Sequence, residues 1–445
     1  MAQGALPGFR DFYPAEFAQR AYIARVWRDV ARRYAFVEYD GPPLESLDLY
    51  TKKSGDEIVA QLYNFTDKGG REVALRPEMT PTLARMVAAR ANALRKPVRW
   101  FSLPQLFRYE RQQKGRLREH FQLNVDIIGE SDVTADAELL AVAIDIMREL
   151  GLSPADVRAR VSDRRLLRAL LERLGVGEAE QPAVFAIIDK FERQPKPVSA
   201  EKLRALGVTD ASIEQLFRLV EGVTLDALRA QYGDTPAIAK CVSDLERYYT
   251  YLTDLDVAEW VQLDLSIVRG LAYYTGIVFE LFDARGEFRA ICGGGRYDNL
   301  LKSLGGIDLP ALGFGMGDVV LGELLRARGL SAVPAEPDFW VAATEDGDLR
   351  DVMVAATELR RAGASVEYAL RSQTLNKQRK AASSAGATYF ITVGADFAAH
   401  GTVEVEEVQH VEGAGASLVD RLQGMPKTIA SVTALVRDPE FAPKL

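Results

Sequence analysis

The sequence predicts an α+β fold: a sheet domain with a helical insertion, followed by a small α/β domain. Three observations carry this. Residues 99–130 read as a long antiparallel hairpin. Residues 131–260 are mostly helical and charged, and β pattern resumes at 262–297, so that about 168–245 is an insertion between two halves of one sheet. From Phe339 onward, short strands alternate with helices, as in a parallel or mixed sheet.

The elements follow in order. Ile23, Trp27, Val30 and Tyr34 fall at helical spacing across 15–35, and Pro14 stands where a helix starts. Phe36 to Tyr39 is strand-like and stops at Gly41-Pro42-Pro43; Val73 to Arg76 is a second short strand. Thr80, as N-cap, and Pro81 open a helix to about Leu94. In the hairpin, Phe101–Glu110 and His120–Ile128 are the strands, and the loop between them is basic. Along the second strand Phe121, Leu123, Val125 and Ile127 alternate with His120, Gln122, Asn124 and Asp126, which gives one apolar and one polar face. Such alternation usually means a half-solvated sheet.

Further strands are expected at Tyr273–Phe282 and Phe288–Cys292, with a helix from Asp318 to about Arg328. Residues 1–330 thus form one domain, 331–337 a Pro-containing linker, 338–424 the α/β domain and 425–445 a tail. In the last domain the strands are Phe339–Ala343, Ser365–Tyr368 and Tyr389–Val393, with helices at about 348–362 and 374–385.

Composition excludes more than it assigns. Across 445 residues, 48% hydrophobic and 27% charged content describes a globular enzyme with more than one core. Two cysteines, Cys241 and Cys292, make neither a CxxC pair nor a disulfide framework. Three scattered histidines, His120, His400 and His410, argue against a metal site built on His or Cys. The N-terminus lacks a signal-peptide pattern and no apolar run is long enough for a membrane span, so a cytoplasmic protein is expected, with no membrane partner. A net charge of −8 argues against indiscriminate coating of nucleic acid, yet leaves room for local basic contacts.

The chemistry-bearing groups cluster in sequence. Arg108, Glu110, Arg116 and Arg118 share the hairpin, Glu78 and Thr80 stand at the start of the helix beside it, and Arg269 precedes Gly270-Leu271 with Tyr273-Tyr274 following. Fixed cations suit a nucleoside triphosphate, and an anion with a cation suits an amino acid. Each group alone has a plainer reading: surface ion pairs for the arginines, helix capping for Thr80, core packing for the tyrosines. No GxxxxGK[ST] loop and no GxGxxG after a strand is present, which disfavours the two commonest nucleotide folds. The glycine runs at 293–295 and 313–317 signal tight turns or close strand packing.

Taken in order, the blocks are more specific. Gly8-Phe9-Arg10-Asp11, Arg76-Pro77-Glu78-Met79-Thr80, Phe107-Arg108-Tyr109-Glu110-Arg111 with Gln113-Lys114-Gly115-Arg116, Ile267-Val268-Arg269-Gly270-Leu271 with Tyr273-Tyr274-Thr275-Gly276, and Gly294-Gly295-Arg296-Tyr297-Asp298 resemble histidyl-tRNA synthetase, over nearly the whole chain. The resemblance implies a class II aminoacyl-tRNA synthetase fold, an antiparallel sheet flanked by helices, with residues 337–424 similar to the family's anticodon-binding domain. It implies ligation of histidine to tRNA(His) with ATP and Mg²⁺, through histidyl adenylate, by a homodimer whose interface includes the first block.

By the same resemblance, Arg108 grips the α-phosphate, Glu110 holds the adenine end, and Arg116 and Arg118 bind the other phosphates with Mg²⁺. His120 stands where an aromatic stacks on adenine. Glu78, Thr80 and Gln122 hold the substrate ammonium, and Arg269 stabilises charge at the reacting carboxylate and α-phosphate. Neutral imidazole offers one donor and one acceptor. Asp126 matches the family's carboxylate for the donor and Tyr274 its tyrosine for the acceptor, with Tyr273 beside it. Leaving such groups unpaired rejects a wrong side chain by about 10⁴-fold in comparable polar pockets.

The sequence departs from the pattern at Ala272, where many members have Asp, and at Glu406, where a lysine is common; Lys377, Gln378 and Lys380 match a basic family segment. In Gly317-Asp318-Val319-Val320, Val320 replaces an arginine for the γ-phosphate, so either another arginine substitutes or ATP use is impaired. The alternative is a non-catalytic, histidine-binding paralog that regulates ATP phosphoribosyltransferase in histidine biosynthesis.

Overall fold

The computed structural model describes residues 4–51, 60–110, 115–268, 274–345, 347–409 and 417–438. The chain divides into two compact units, Met1–Ala332 and Val333–Leu445.

In the first unit the described residues form a large sheet and a small one, the latter of Leu44–Ser46, Glu72–Leu75 and Tyr63–Thr66. The strands of the large sheet run in the order Val37–Glu38, Val98–Ser102, Glu119–Ile128, Ala311–Gly317, Cys292–Arg296, Ile277–Asp283, Val157–Asp163 and Val261–Leu263. Every neighbouring pair is antiparallel except the first and the last. The hairpin is present, but its first strand is split into Val98–Ser102 and Gln105–Phe107. Pro104 lies at the break, where a proline has no N–H for the ladder; its carbonyl instead accepts from Gln122 N–H at 3.1 Å.

The apolar face of strand Glu119–Ile128 explains the packing beneath it. Leu123, Val125 and Ile127 are fully buried against helices Pro14–Arg33 and Val133–Glu149. The first helix begins on Pro14, where no N–H is needed, and carries Glu16 in its first turn and Arg32 and Arg33 in its last, which suits its dipole. It buries Ile23, Val26, Trp27 and Val30 on one stripe. Each such side chain contributes about 1.5–3 kcal/mol by leaving water. The second helix is capped by Asp132, whose carboxylate accepts from Thr134 N–H at 3.0 Å.

Four local expectations change. Thr80 is the first residue of helix Thr80–Arg90 rather than its cap; the cap position is Met79, with no side-chain capping bond. The strand expected at Phe288–Cys292 begins at Cys292 and runs through the glycines to Arg296. A Cβ on Gly294 would lie 2.5 Å from the Gly313 carbonyl, so close strand packing is what the run encodes. The strand expected at Tyr273–Phe282 is found at Ile277–Asp283, and Tyr273 lies outside the described residues. The stretch after Gly424 is not a bare tail: helix Ile429–Val436 buries Ile429, Val432 and Val436 in the core of the second unit.

The insertion consists of helices from Arg164–Arg173 to Pro236–Asp254, placed in sequence between strands Val157–Asp163 and Val261–Leu263. Leu167, Leu171, Val184, Leu203, Ile213 and Leu216 form a second apolar cluster, while Leu228, Ile238, Leu245 and Leu252 of the later helices join the main core. In the second unit, strands Val366–Tyr368, Phe339–Ala343 and Tyr389–Val393 are parallel, and Val403–Glu407, not expected from sequence, adds antiparallel to Tyr389–Val393.

Candidate active site

The polar face of strand Glu119–Ile128 floors a cleft of about 1040 Å³ rather than facing open solvent. Thr80, Arg108, Glu110, Arg116, His120, Gln122, Asp126 and Tyr274 all line it. Glu78 is buried but is not part of the wall, and Arg118 also lies off it. Arg269 and Tyr273 lie outside the described residues.

Glycines make the space. Strand Ala311–Gly317 runs beside the floor with Gly313 opposite Asp126 and Gly315 opposite Asn124. A Cβ on Gly313 would sit 2.1 Å from Asp126 Oδ1, and one on Gly315 would sit 2.7 Å from Gln122 Nε2. Any side chain there collides with the groups the floor presents.

Asp126 and His120 are both strongly perturbed, in opposite directions. Burial pushes the Asp126 carboxyl up to about 7, and a hydrogen bond from the Tyr297 hydroxyl to Oδ1 works against that shift. Tyr297 lines the same cleft. Tyr297 falls within the last sequence block with no role of its own there; nothing in the spacing of strand Cys292–Arg296 announces that the residue after it turns to Asp126. Its neighbour Arg296 points elsewhere, into a buried pair with Asp136 (Nε to Oδ1, 3.2 Å) and onto the Glu130 carbonyl at 2.8 Å. Burial raises Asp136 to about 6 even so.

The cationic wall is fixed by backbone. Arg108 Nε donates to the Pro77 carbonyl at 2.9 Å, and its own N–H donates to the Arg118 carbonyl at 2.9 Å. Buried Arg76 braces the segment beneath, reaching Asp40 Oδ1 and the Gly41 carbonyl, each at 2.7 Å, and the Gln105 carbonyl at 3.0 Å. Arg116 Nε lies 3.0 Å from Glu110 Oε2. Arg118 instead stacks its guanidinium 4.0 Å over the Tyr109 ring and gives its N–H to the Gly8 carbonyl at 2.9 Å. Gly8 has φ +88°, and a Cβ there would meet Arg118 Cγ at 2.7 Å, so the first block and the hairpin lock together through a glycine. Arg10 completes that lock, 2.7 Å from Glu119 and 2.9 Å from Asp318.

His120 sits among these cations. Burial first, then the charges of Arg108 and Arg10, push its imidazole down to about 3, so the ring is neutral at neutral pH. A neutral ring beside a fixed guanidinium suits stacking better than charge pairing. Val320 lines the cleft as well, 3.4 Å from where a Gly115 Cβ would be, and it offers no polar atom.

The family model described as histidyl-tRNA synthetase matches residues 8–317. The chain belongs to this family. A second model, the anticodon-binding domain, matches residues 344–422. The chain is 44% identical over 409 residues to the histidine–tRNA ligase of Opitutus terrae, covering 91% of this chain and 93% of that one. It is 40% identical over 414 residues to the chloroplastic/mitochondrial histidine–tRNA ligase of Arabidopsis thaliana, covering 93% and 85%. Among solved structures, histidyl-tRNA synthetase from Nostoc superposes with a TM-score of 0.81 at 24% identity, over 92% of this chain and 95% of that one, which establishes the fold. The fold is therefore the α+β arrangement of that family: a large, mainly antiparallel sheet flanked by helices, and a separate anticodon-binding domain.

One departure from the family pattern, Glu406, and one residue of the matching segment, Gln378, have a local account. In the second unit Arg379 Nη2 reaches Glu406 Oε1 at 2.8 Å, so the carboxylate in a usual lysine position has a neighbouring cation as partner. Gln378 is buried and donates to the Gln373 carbonyl at 3.0 Å, which turns it away from solvent.

Proposed function

We propose that this chain ligates L-histidine to tRNA(His), forming histidyl adenylate from ATP in the cleft and releasing pyrophosphate, then AMP. The observation that supports it most directly is the cleft lining: a buried carboxylate, Asp126, and a buried tyrosine, Tyr274, in the same cleft as Arg108 and Arg116. The relatives named as histidine–tRNA ligases share both units, since the matches cover 91% and 93% of the chain.

In the first step an oxygen of the histidine carboxylate attacks the α-phosphorus of ATP, and the bond to the β-phosphate oxygen breaks. The nucleophile is already ionised, so no general base is needed. Orientation and charge stabilisation do the work. Arg108, held by the Pro77 carbonyl, meets the α-phosphate, and Arg269 stabilises charge at the reacting carboxylate. His120 stacks on adenine, Glu110 holds its edge, and Arg116 takes a phosphate oxygen. Thr80 and Gln122, with Glu78 behind them, accept from the ammonium. In the second step the terminal ribose hydroxyl of tRNA attacks the carbonyl carbon and AMP leaves.

Mg²⁺ enters with ATP. Among the described residues no group of three or more His, Cys, Asp or Glu could form a dedicated metal site. A magnesium ion on phosphates needs only one or two carboxylates, and Glu280 and Glu323 line the cleft. When bound it neutralises phosphate charge.

The second unit binds the anticodon, and a homodimer forms over the first block, where Leu6, Tyr13 and Phe17 stay exposed. No helix among the described residues is long and apolar enough to cross a membrane, and the protein works in the cytoplasm. The regulatory alternative has no observation in its favour. Histidine-dependent exchange of pyrophosphate into ATP by the purified protein tests the proposal; histidine binding without exchange contradicts it.

A further inference from the structure

The cleft is lined by cations that the family resemblance does not assign. Arg289 lines it from the turn between strands Ile277–Asp283 and Cys292–Arg296, and Arg193 lines it from the end of the short 3-10 turn Phe191–Arg193. The Arg289 turn is fixed at its base. Asp283 Oδ2 accepts from Glu287 N–H at 2.8 Å, Asp283 Oδ1 lies 2.6 Å from Arg328, and Ile291 N–H donates to the Leu281 carbonyl at 2.8 Å.

Partial burial, then the charges of Arg116 and Arg193, hold the Arg289 guanidinium below its usual value, while Glu110 acts the other way. Arg116, Arg193 and Arg289 thus line one cleft and disfavour one another, with Glu110, 3.0 Å from Arg116, offsetting part of that charge. Helix Asp318–Ala327 lines the cleft with Val319, Val320 and Glu323 and brings no cation to it. A convergent set of cations is costly to hold alone and favourable around a polyanion. The polyanion this cleft receives is a nucleoside triphosphate.

We infer that Arg289 binds the terminal phosphate of ATP and the departing pyrophosphate, supplying from the 284–291 turn the cation that Val320 does not. The assignment rests on the adenylate-forming reading above. It also separates the phosphate roles along the cleft: Arg108, anchored on the hairpin, meets the α-phosphate, and Arg289 meets the far end.

The test compares wild type with Arg289→Ala, Arg289→Lys and the double variant Arg289→Ala with Val320→Arg. The KM for ATP in exchange should rise about tenfold or more in Arg289→Ala, as expected when one hydrogen bond to a charged group is lost. The KM for histidine and the calorimetric affinity for AMP, which lacks the terminal phosphates, should stay within twofold. Arg289→Lys should recover part of the loss, and Val320→Arg should recover it from the facing helix. An unchanged KM for ATP, or equal losses for ATP and AMP, overturns the inference. If the wild type shows no exchange, the adenylate reading fails, and calorimetric binding of ATP against AMP still decides the role of Arg289.

Discussion

The hydroxyl of Tyr297 donates to Oδ1 of Asp126, joining the residue after strand Cys292–Arg296 to the floor strand Glu119–Ile128. Burial pushes the Asp126 carboxyl up to about 7. As an acceptor for an imidazole N–H this group is stronger when ionised, so its ionisation and ligand binding are linked.

The affinity for histidine should therefore rise as pH increases from about 6 to 8. Asp126 loses its proton across that window, and free histidine becomes neutral with a pKa near 6.5. In Asp126→Asn the amide can present a donor where an acceptor is needed. Histidine binding should weaken by about tenfold or more, with ATP binding spared. Calorimetry at several pH values checks both, and an unchanged histidine affinity removes Asp126 from the pocket.

The same carboxyl has a stability consequence of defined sign. Its folded pKa is raised above the unfolded value, so its contribution to stability is fully present below about pH 4 and is lost as pH rises through about 7. Tyr297→Phe removes the hydrogen bond that opposes the shift and should move the carboxyl further up. The midpoint of the histidine-affinity curve should then move to higher pH, while ATP affinity holds. A midpoint that stays in place assigns Tyr297 to packing alone.

Much of this site was legible in the sequence, for physical reasons that differ by residue. The alternation along 120–128 gives the floor its face, since a strand has period two. It does not say whether that face meets solvent or a cleft, which is set by strands far along the chain, such as Ala311–Gly317 with its glycines opposite Asp126 and Asn124. Arg118 shows the opposite failure: it lies in the right block, but its stem packs on Gly8 and its head on Tyr109. Tyr297 and Arg289 were missed because one follows strand Cys292–Arg296 and the other lies in the turn before it, where side-chain direction follows from the turn rather than from any period. The fourth strand of the second unit, Val403–Glu407, alternates Val with Glu and reads as a charged surface segment until its partner, Tyr389–Val393, is in place.

The two cations assigned to the reacting centre should behave alike in activation. Arg108→Ala and Arg269→Ala should each slow histidine-dependent exchange by about 10²-fold or more, the loss seen when one oriented electrostatic group is removed. Circular dichroism should be unchanged. Near-normal exchange by either variant withdraws its role.

The two units should be separable in function. Each has its own apolar core, and the division falls between Ala332 and Val333. A chain ending at Ala332 should keep the exchange reaction while charging of tRNA falls sharply, because phosphate and anticodon contacts supply much of the affinity for a polyanion. The comparison is made at one salt concentration. Charging that survives truncation contradicts an anticodon role for the second unit. Loss of both activities in a folded truncated chain shows that the units act together.

The most direct test of the account is transfer of labelled histidine to tRNA(His) by the purified full-length chain, with ATP and Mg²⁺, against the same reaction lacking ATP and against other labelled amino acids. The account predicts ATP-dependent charging with histidine alone, abolished in Arg108→Ala and weakened in Asp126→Asn at subsaturating histidine. Histidine binding with no charging, in a protein that keeps Asp126, Tyr274 and Arg108 in place, would contradict it and leave a histidine sensor instead of a ligase.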